Sequence, residues 1–120
     1  MKIFDRDGKY NFVDDNNVFV GYSSQHDCCE SFGYFFSDTI PSSRPESDEG
    51  VDICDGWQFD TKFYQEINPS DGYGEGTLAI FRLVKDNEEM FLCLYNYHNG
   101  YYSHGFSMLE DGKVIKEGNI

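Results

Sequence analysis

The chain has 120 residues, of which 39% are hydrophobic, 26% charged and 18% aromatic. These values are typical of one folded domain, and the aromatic content excludes a wholly disordered chain. The formal charge is −13, from 22 acidic and nine basic residues, which argues against nonspecific binding to nucleic acid or to an anionic membrane. We therefore expect a single domain over residues 1–120 with no direct contact to nucleic acid or membrane.

The N-terminus and the cysteines bear on the cellular compartment. Charged residues recur through the first seven positions, so the apolar run of a signal peptide cannot form there, and no apolar run approaches the ~18 residues of a membrane span. We therefore predict a cytoplasmic protein with reduced thiols. The cysteines are Cys28, Cys29, Cys54 and Cys93.

The first segment predicts strands separated by turns, and a helix follows. Asp7-Gly8 is a turn signal, and residues 18–22 have the β-branched and aromatic content of a buried strand. A helix is predicted over residues 28–36, with Asp27 as N-cap three residues before Glu30 and with Phe32 and Phe36 buried. Its apolar stripe consists of Cys28, Phe32, Phe35 and Phe36.

The second half of the chain predicts a meander of antiparallel strands. Residues 41–56 contain few side chains that can pack, which predicts a mobile acidic loop. Strands are predicted at 63–67, 77–84 and 90–97, and the last two are expected to be covered on both faces. The fold class that we predict is α+β: a single antiparallel sheet of five to seven strands with one helix packed on a face.

The densest charge lies between Glu46 and Asp60, where six acids occur without a base, beside Trp57 and Phe59. Aromatic side chains anchor interfaces, and surrounding charges set the rate and orientation of binding. We therefore predict a partner-binding surface here, although such a run can also be a solvated loop that keeps a protein soluble. The predicted partner-binding residues are Glu46, Asp48, Glu49, Asp52, Asp55, Trp57 and Asp60.

A second candidate site combines thiols with imidazoles. These groups are zinc ligands, and a thiol in the first turn of a helix can be a nucleophile with a histidine as its base. The spacing matches no known zinc module, and free cysteines are often simply buried. No cofactor is expected, and zinc is the metal that these ligands would hold. The candidate metal ligands are His26, Cys28, Cys29, His98 and His104.

Two short motifs, Asp27–Glu30 and Asn99–Tyr102, carry a resemblance. In them the chain resembles short uncharacterised phage and bacterial proteins of unknown function, which pair an Asp-Cys-Cys-Ser/Glu segment with a later Asn-Gly-Tyr-Tyr hairpin. The resemblance implies a phage or mobile-element setting and a small antiparallel fold. It brings no activity, cofactor or catalytic residue.

Two hypotheses about function follow. The first is a small acidic phage-type binding protein, an inhibitor that mimics nucleic acid and occupies a basic site on a host nucleic-acid-binding protein in the host cytoplasm. In size and charge the chain is similar to anti-CRISPR proteins. The alternative is a small Cys/His-dependent or metal-dependent enzyme built on Cys28 and Cys29, with His98 or His104 as base.

Overall fold

The computed structural model describes residues 1–24, 31–41, 55–68, 76–97 and 104–120. Within these ranges the chain forms nine β-strands and no helix. Accordingly, none of the described residues belongs to a helix of the length and hydropathy that a membrane crossing requires. The strands are β1 (Lys2–Arg6), β2 (Lys9–Val13), β3 (Val18–Ser23), β4 (Ser31–Ser37), β5 (Gln58–Ile67), β6 (Gly76–Lys85), β7 (Glu88–Tyr97), β8 (Gly105–Glu110) and β9 (Lys113–Asn119).

The strands form two antiparallel sheets that pack face to face. The five-stranded sheet has the order β1-β2-β3-β8-β9, and the four-stranded sheet has the order β4-β7-β6-β5. Alternate side chains of each strand point into the space between the sheets. Phe12 and Phe36 meet there with ring centroids 6.1 Å apart, as do Phe81 and Phe106 at 5.7 Å. The main core is therefore a layer of aromatic and aliphatic side chains contributed by both sheets.

The two central strands of the smaller sheet, β6 and β7, are buried on both faces. Their inward side chains join the main core, and their outward side chains form a second buried cluster. The prediction that these strands are covered on both faces is confirmed. The buried members of the second cluster are Leu78, Ile80, Phe91, Cys93 and Tyr97.

The predicted helix over residues 28–36 is wrong in the part that the structure describes. Residues 31–37 form β4, which pairs with β7 in a register that places Phe36 opposite Leu92. Because side chains alternate in a strand, Phe32, Tyr34 and Phe36 all point toward the main core. Asp27 and residues 28–30 lie outside the described residues.

The spacing of the aromatic residues explains why a helix was predicted. Positions 32 and 36 are four apart, and a spacing of four keeps two side chains on one face of a helix and also on one face of a strand. Aromatic residues favour strands, and Gly33 disfavours a helix, so the local preference already opposed the apolar stripe. The fold class α+β is consequently corrected to an all-β sandwich of two sheets.

The connections between the described strands fall at two ends of the sandwich. One end carries the turns at residues 14–17, 86–87 and 111–112, together with the end of β4 and the start of β5. Two hydrogen bonds tie these parts together: the Phe59 amide donates to Asp14 Oδ2 at 2.9 Å, and the Asp111 amide donates to the Asn17 carbonyl at 3.1 Å. The fold thus brings distant parts of the sequence to one end.

Candidate functional site

Acidic side chains from five separate segments lie at this end of the sandwich, at residues 14–17, 38–41, 55–57, 86–89 and 111–112. Its exposed acids are Asp15, Asp38, Asp55, Asp86, Glu88, Glu89 and Asp111. In the described chain, the basic side chains placed at this end are fewer: Lys2, Arg82, Lys85 and Lys113. We call this surface the acidic end.

Four of the predicted partner-binding residues belong to the connection that leads from Pro41 to Asp55, and both of these flanking residues lie at the acidic end. The connection contains one base, Arg44. The four predicted residues themselves lie outside the described residues. They are Glu46, Asp48, Glu49 and Asp52.

The structure places the other three predicted residues, Asp55, Trp57 and Asp60, in different environments. The Asp55 side chain is 95% exposed, and one carboxylate oxygen lies 3.1 Å from the Met1 amino group. Trp57 is 5% exposed and packs in the main core, so its indole supports the sandwich from within. The Asp60 carboxylate lies 3.4 Å from Nη1 of Arg82.

Arg82 neutralises part of the acidic charge. Its guanidinium lies between two carboxylates, with Nε 3.0 Å from Glu89 and Nη1 near Asp60. Lys85 is also engaged, because its ammonium donates to the Asp55 carbonyl at 3.0 Å. Arg82 and Lys85 therefore offset negative charge near Asp60, Glu89 and Asp55. The other acids of the acidic end lie mainly on the hairpin turns.

Backbone geometry explains why the turns carry acids. Asp86 and Asp111 have φ values of +53° and +51°, and Gly112 follows Asp111 at +81°. Aspartate is among the few residues other than glycine that tolerate the left-handed region. The turns at both positions can therefore be tight while each exposes a carboxylate.

Asp14 supports this surface from inside the sandwich, and the sequence alone did not single it out. Its Oδ1 accepts from the amides of Asn16 at 2.8 Å and Val18 at 3.0 Å, while Oδ2 accepts from the Phe59 amide. The residue is buried. One carboxylate therefore ties the turn bearing Asp15 to the start of β5. An aspartate that opens a turn is the sequence signal that could have suggested the local half of this role.

Of the candidate metal ligands, the structure describes His104 alone; His26, Cys28, Cys29 and His98 lie outside the described residues. His104 is 2% exposed. Its Nδ1 lies 2.8 Å from the carbonyl oxygen of Ser23, which can only accept, so Nδ1 carries the proton.

The imidazole of His104 stacks on Phe32, with ring centroids 4.1 Å apart. Its main chain pairs in both directions with Ile120. In the described part of the chain, no three side chains of His, Cys, Asp or Glu gather closely enough to hold a metal ion. The described environment of His104 is therefore that of a packed core side chain.

Burial raises the pKa of the Cys93 thiol and of the Tyr64 hydroxyl. Cys93 lies in the second cluster, and desolvation there raises the pKa of its thiol, so it remains protonated at neutral pH. Burial also raises the pKa of Tyr64, with further contributions from the nearby charge of Glu66 and from their hydrogen bond. Neither group has the lowered pKa that a nucleophile needs.

Comparison with known proteins identifies the domain. The family model of DUF7448, a domain of unknown function, matches residues 1–108. The chain belongs to this family. No curated protein and no solved structure matches the chain.

The DUF7448 match covers most of the acidic end. The matched residues include the turns at 14–17 and 86–87 and the connection from Pro41 to Asp55. They end before the turn at 111–112 and β9. The family description names no activity, which agrees with the resemblance to proteins of unknown function.

Proposed function

We propose that this chain is a non-catalytic binding protein whose acidic end docks on a basic surface of a partner protein. The setting that we propose is a phage-encoded inhibitor that acts in the host cytoplasm and occupies the nucleic-acid site of a host protein. The observation that carries the proposal is the convergence of acidic turns at one end of the sandwich. Carboxylates held on hairpin turns present an array of negative charge, as phosphates do on nucleic acid.

Mutual repulsion among these carboxylates supports the same conclusion. Two like charges about 8 Å apart in water repel by about 0.5 kcal/mol, and salt screens them over about the same distance. A basic partner relieves this repulsion in the complex. Binding should therefore weaken as salt concentration rises.

The burial of Trp57 changes the kind of interface that we expect. With that indole in the core, the described acidic end offers charge rather than an aromatic anchor. Electrostatic interfaces of this kind associate quickly and depend strongly on salt. We therefore expect a partner whose own ligand is a polyanion.

The test compares two variants with the same net charge. The first neutralises the acidic end with Asp15→Asn, Asp86→Asn, Glu88→Gln and Asp111→Asn; asparagine tolerates the positive φ at positions 86 and 111. The control neutralises four acids located elsewhere, with Asp5→Asn, Asp7→Asn, Glu66→Gln and Glu117→Gln. Both variants must retain the melting temperature of the wild type within a few degrees.

The wild type is used as bait for nucleic-acid-binding proteins of the host at low salt, and an identified partner is then titrated with each variant in competition with duplex DNA. We expect the first variant to lose about tenfold in affinity and to show a shallower salt dependence, with the control close to wild type. Equal losses in the two variants would mean that only net charge matters. No loss in either variant would place the binding surface elsewhere.

A further inference from the structure

β1 is a regular and exposed edge of the five-stranded sheet. It pairs with β2 in unbroken register from Lys2 opposite Val13 to Arg6 opposite Lys9, and all five of its residues are exposed. An edge strand presents backbone N–H and C=O groups on its outer side, where another strand can pair. The opposite edge, β9, contains a register shift beside Met108, which makes it a poorer template.

The side chains of β1 on the outer face of the sheet alternate between basic and apolar. Ile3 lies opposite the buried Phe12 and so points inward, which leaves Lys2, Phe4 and Arg6 on the outer face. Phe4 is 41% exposed, and the Arg6 guanidinium lies 5.9 Å from the centroid of its ring.

A groove of about 520 Å³ runs from this strand over the neighbouring ones. Phe4, Val13 and Phe19 supply its apolar lining. Its charged lining consists of Arg6, Lys9 and Asp7, so the two bases outweigh the one acid. This concentration of basic groups contrasts with a chain whose formal charge is −13. The groove and the edge are continuous, since both include β1.

We propose that the β1 edge binds an extended acidic segment of a partner protein by β-strand addition. Backbone hydrogen bonds would hold the segment, and its side chains would alternate between the two faces of the enlarged sheet. Carboxylates then lie opposite Lys2 and Arg6, and an apolar side chain lies opposite Phe4. The segment that fits has the pattern acidic–x–apolar–x–acidic.

The charges of β1 also select among possible occupants. A second copy paired antiparallel about Phe4 would place Lys2 opposite Arg6 of its partner, and like charges directly opposite are destabilising. A nucleic acid would extend beyond the basic side chains of Lys2, Arg6 and Lys9. It would then lie over a molecule that is acidic overall, and this negative charge repels a polyanion. A short segment with two carboxylates can pair with Lys2 and Arg6 without extending over the acidic remainder of the molecule.

The first test uses charge exchange. The probe is a labelled peptide with the core Glu-Thr-Val-Thr-Glu, compared with the same peptide carrying Lys in place of Glu. Wild-type protein should prefer the acidic peptide by roughly tenfold, and Lys2→Glu/Arg6→Glu should reverse the preference. A matched control, Lys62→Glu/Lys113→Glu, makes the same change in net charge at exposed positions of β5 and β9 and should preserve it. An unchanged preference in the β1 variant, or equal binding of the two peptides to wild type, would overturn the proposal.

The second test distinguishes strand addition from side-chain docking. Two versions of the acidic peptide carry N-methyl groups on alternate amides, one version in each phase. A strand paired along one edge uses only every second amide of the peptide, so one version should lose binding and the other should retain it. Equal binding of the two versions would overturn strand addition. Displacement of the peptide by an oligothymidylate at lower concentration than by unlabelled peptide would assign the groove to nucleic acid instead.

Discussion

Asp14 concentrates three backbone hydrogen bonds on one buried carboxylate. Replacement by alanine leaves three amides without their acceptor, of which those of Val18 and Phe59 are in buried hydrogen bonds. A buried group that loses its partner costs about 1–3 kcal/mol, and the part-buried Asn16 amide costs less. We expect Asp14→Ala to lower the free energy of unfolding by about 3 kcal/mol, measured by urea denaturation. The exposed neighbour provides the control, since Asp15→Ala should change it by less than about 0.5 kcal/mol. Similar losses in the two variants would contradict the role given to Asp14.

Cys93 is the residue from which we predict a pH dependence. Burial raises its pKa in the folded state above the unfolded value near 8.5, so the unfolded chain loses the thiol proton first. The contribution of the protonated thiol to the free energy of unfolding is therefore fully present below about pH 8.5. It is lost as pH rises, so the free energy of unfolding is lower by about 2 kcal/mol at pH 10. Cys93→Ala should be less stable at pH 7 because of the cavity, yet its unfolding free energy should decrease less between pH 7 and pH 10. Parallel pH profiles for wild type and variant would show that Cys93 contributes nothing to this decline.

Two glycines illustrate what individual elements require. Gly112 closes the β8–β9 turn at φ +81°, and a methyl group added there would meet no atom within 4 Å, so Gly112→Ala should lower the free energy of unfolding by about 1 kcal/mol from backbone strain alone. Gly21 lies within β3 at an ordinary φ, and a Cβ there would meet neighbours at 3.8 Å. Gly21→Ala should therefore be neutral or stabilising by a few tenths of a kcal/mol. Thermal denaturation of both variants checks the pair, and equal destabilisation would contradict it.

Charge acts on the molecule as a whole. The acidic turns lie closer together in the folded state than in the unfolded chain, so their repulsion opposes folding. We expect sodium chloride at about 0.5 M, where the Debye length falls to about 4 Å, to raise the free energy of unfolding by about 1 kcal/mol. The variant neutralised at Asp15, Asp86, Glu88 and Asp111 should gain less from salt than the variant neutralised elsewhere. Equal gains would show that the acidic end has no special share in the repulsion.

The sequence by itself determined the strands whose signals are strong and local. The apolar runs at 77–84 and 90–97 predicted β6 and β7, and Asp7-Gly8 predicted the β1–β2 turn, because apolar runs and positive φ are properties of a few consecutive residues. The sequence also determined the negative sign of the net charge, since charge is additive along the chain.

Only the tertiary structure decided which segments share a surface. The spacing of Phe32 and Phe36 fits a helix and a strand equally, and pairing with β7 settled it. Trp57 sits among acids in the sequence, yet the start of β5 turns its indole into the core. The acidic end and the basic β1 edge depend on strand order and register, which arise from contacts between residues far apart in the chain, and local patterns carry no record of those contacts.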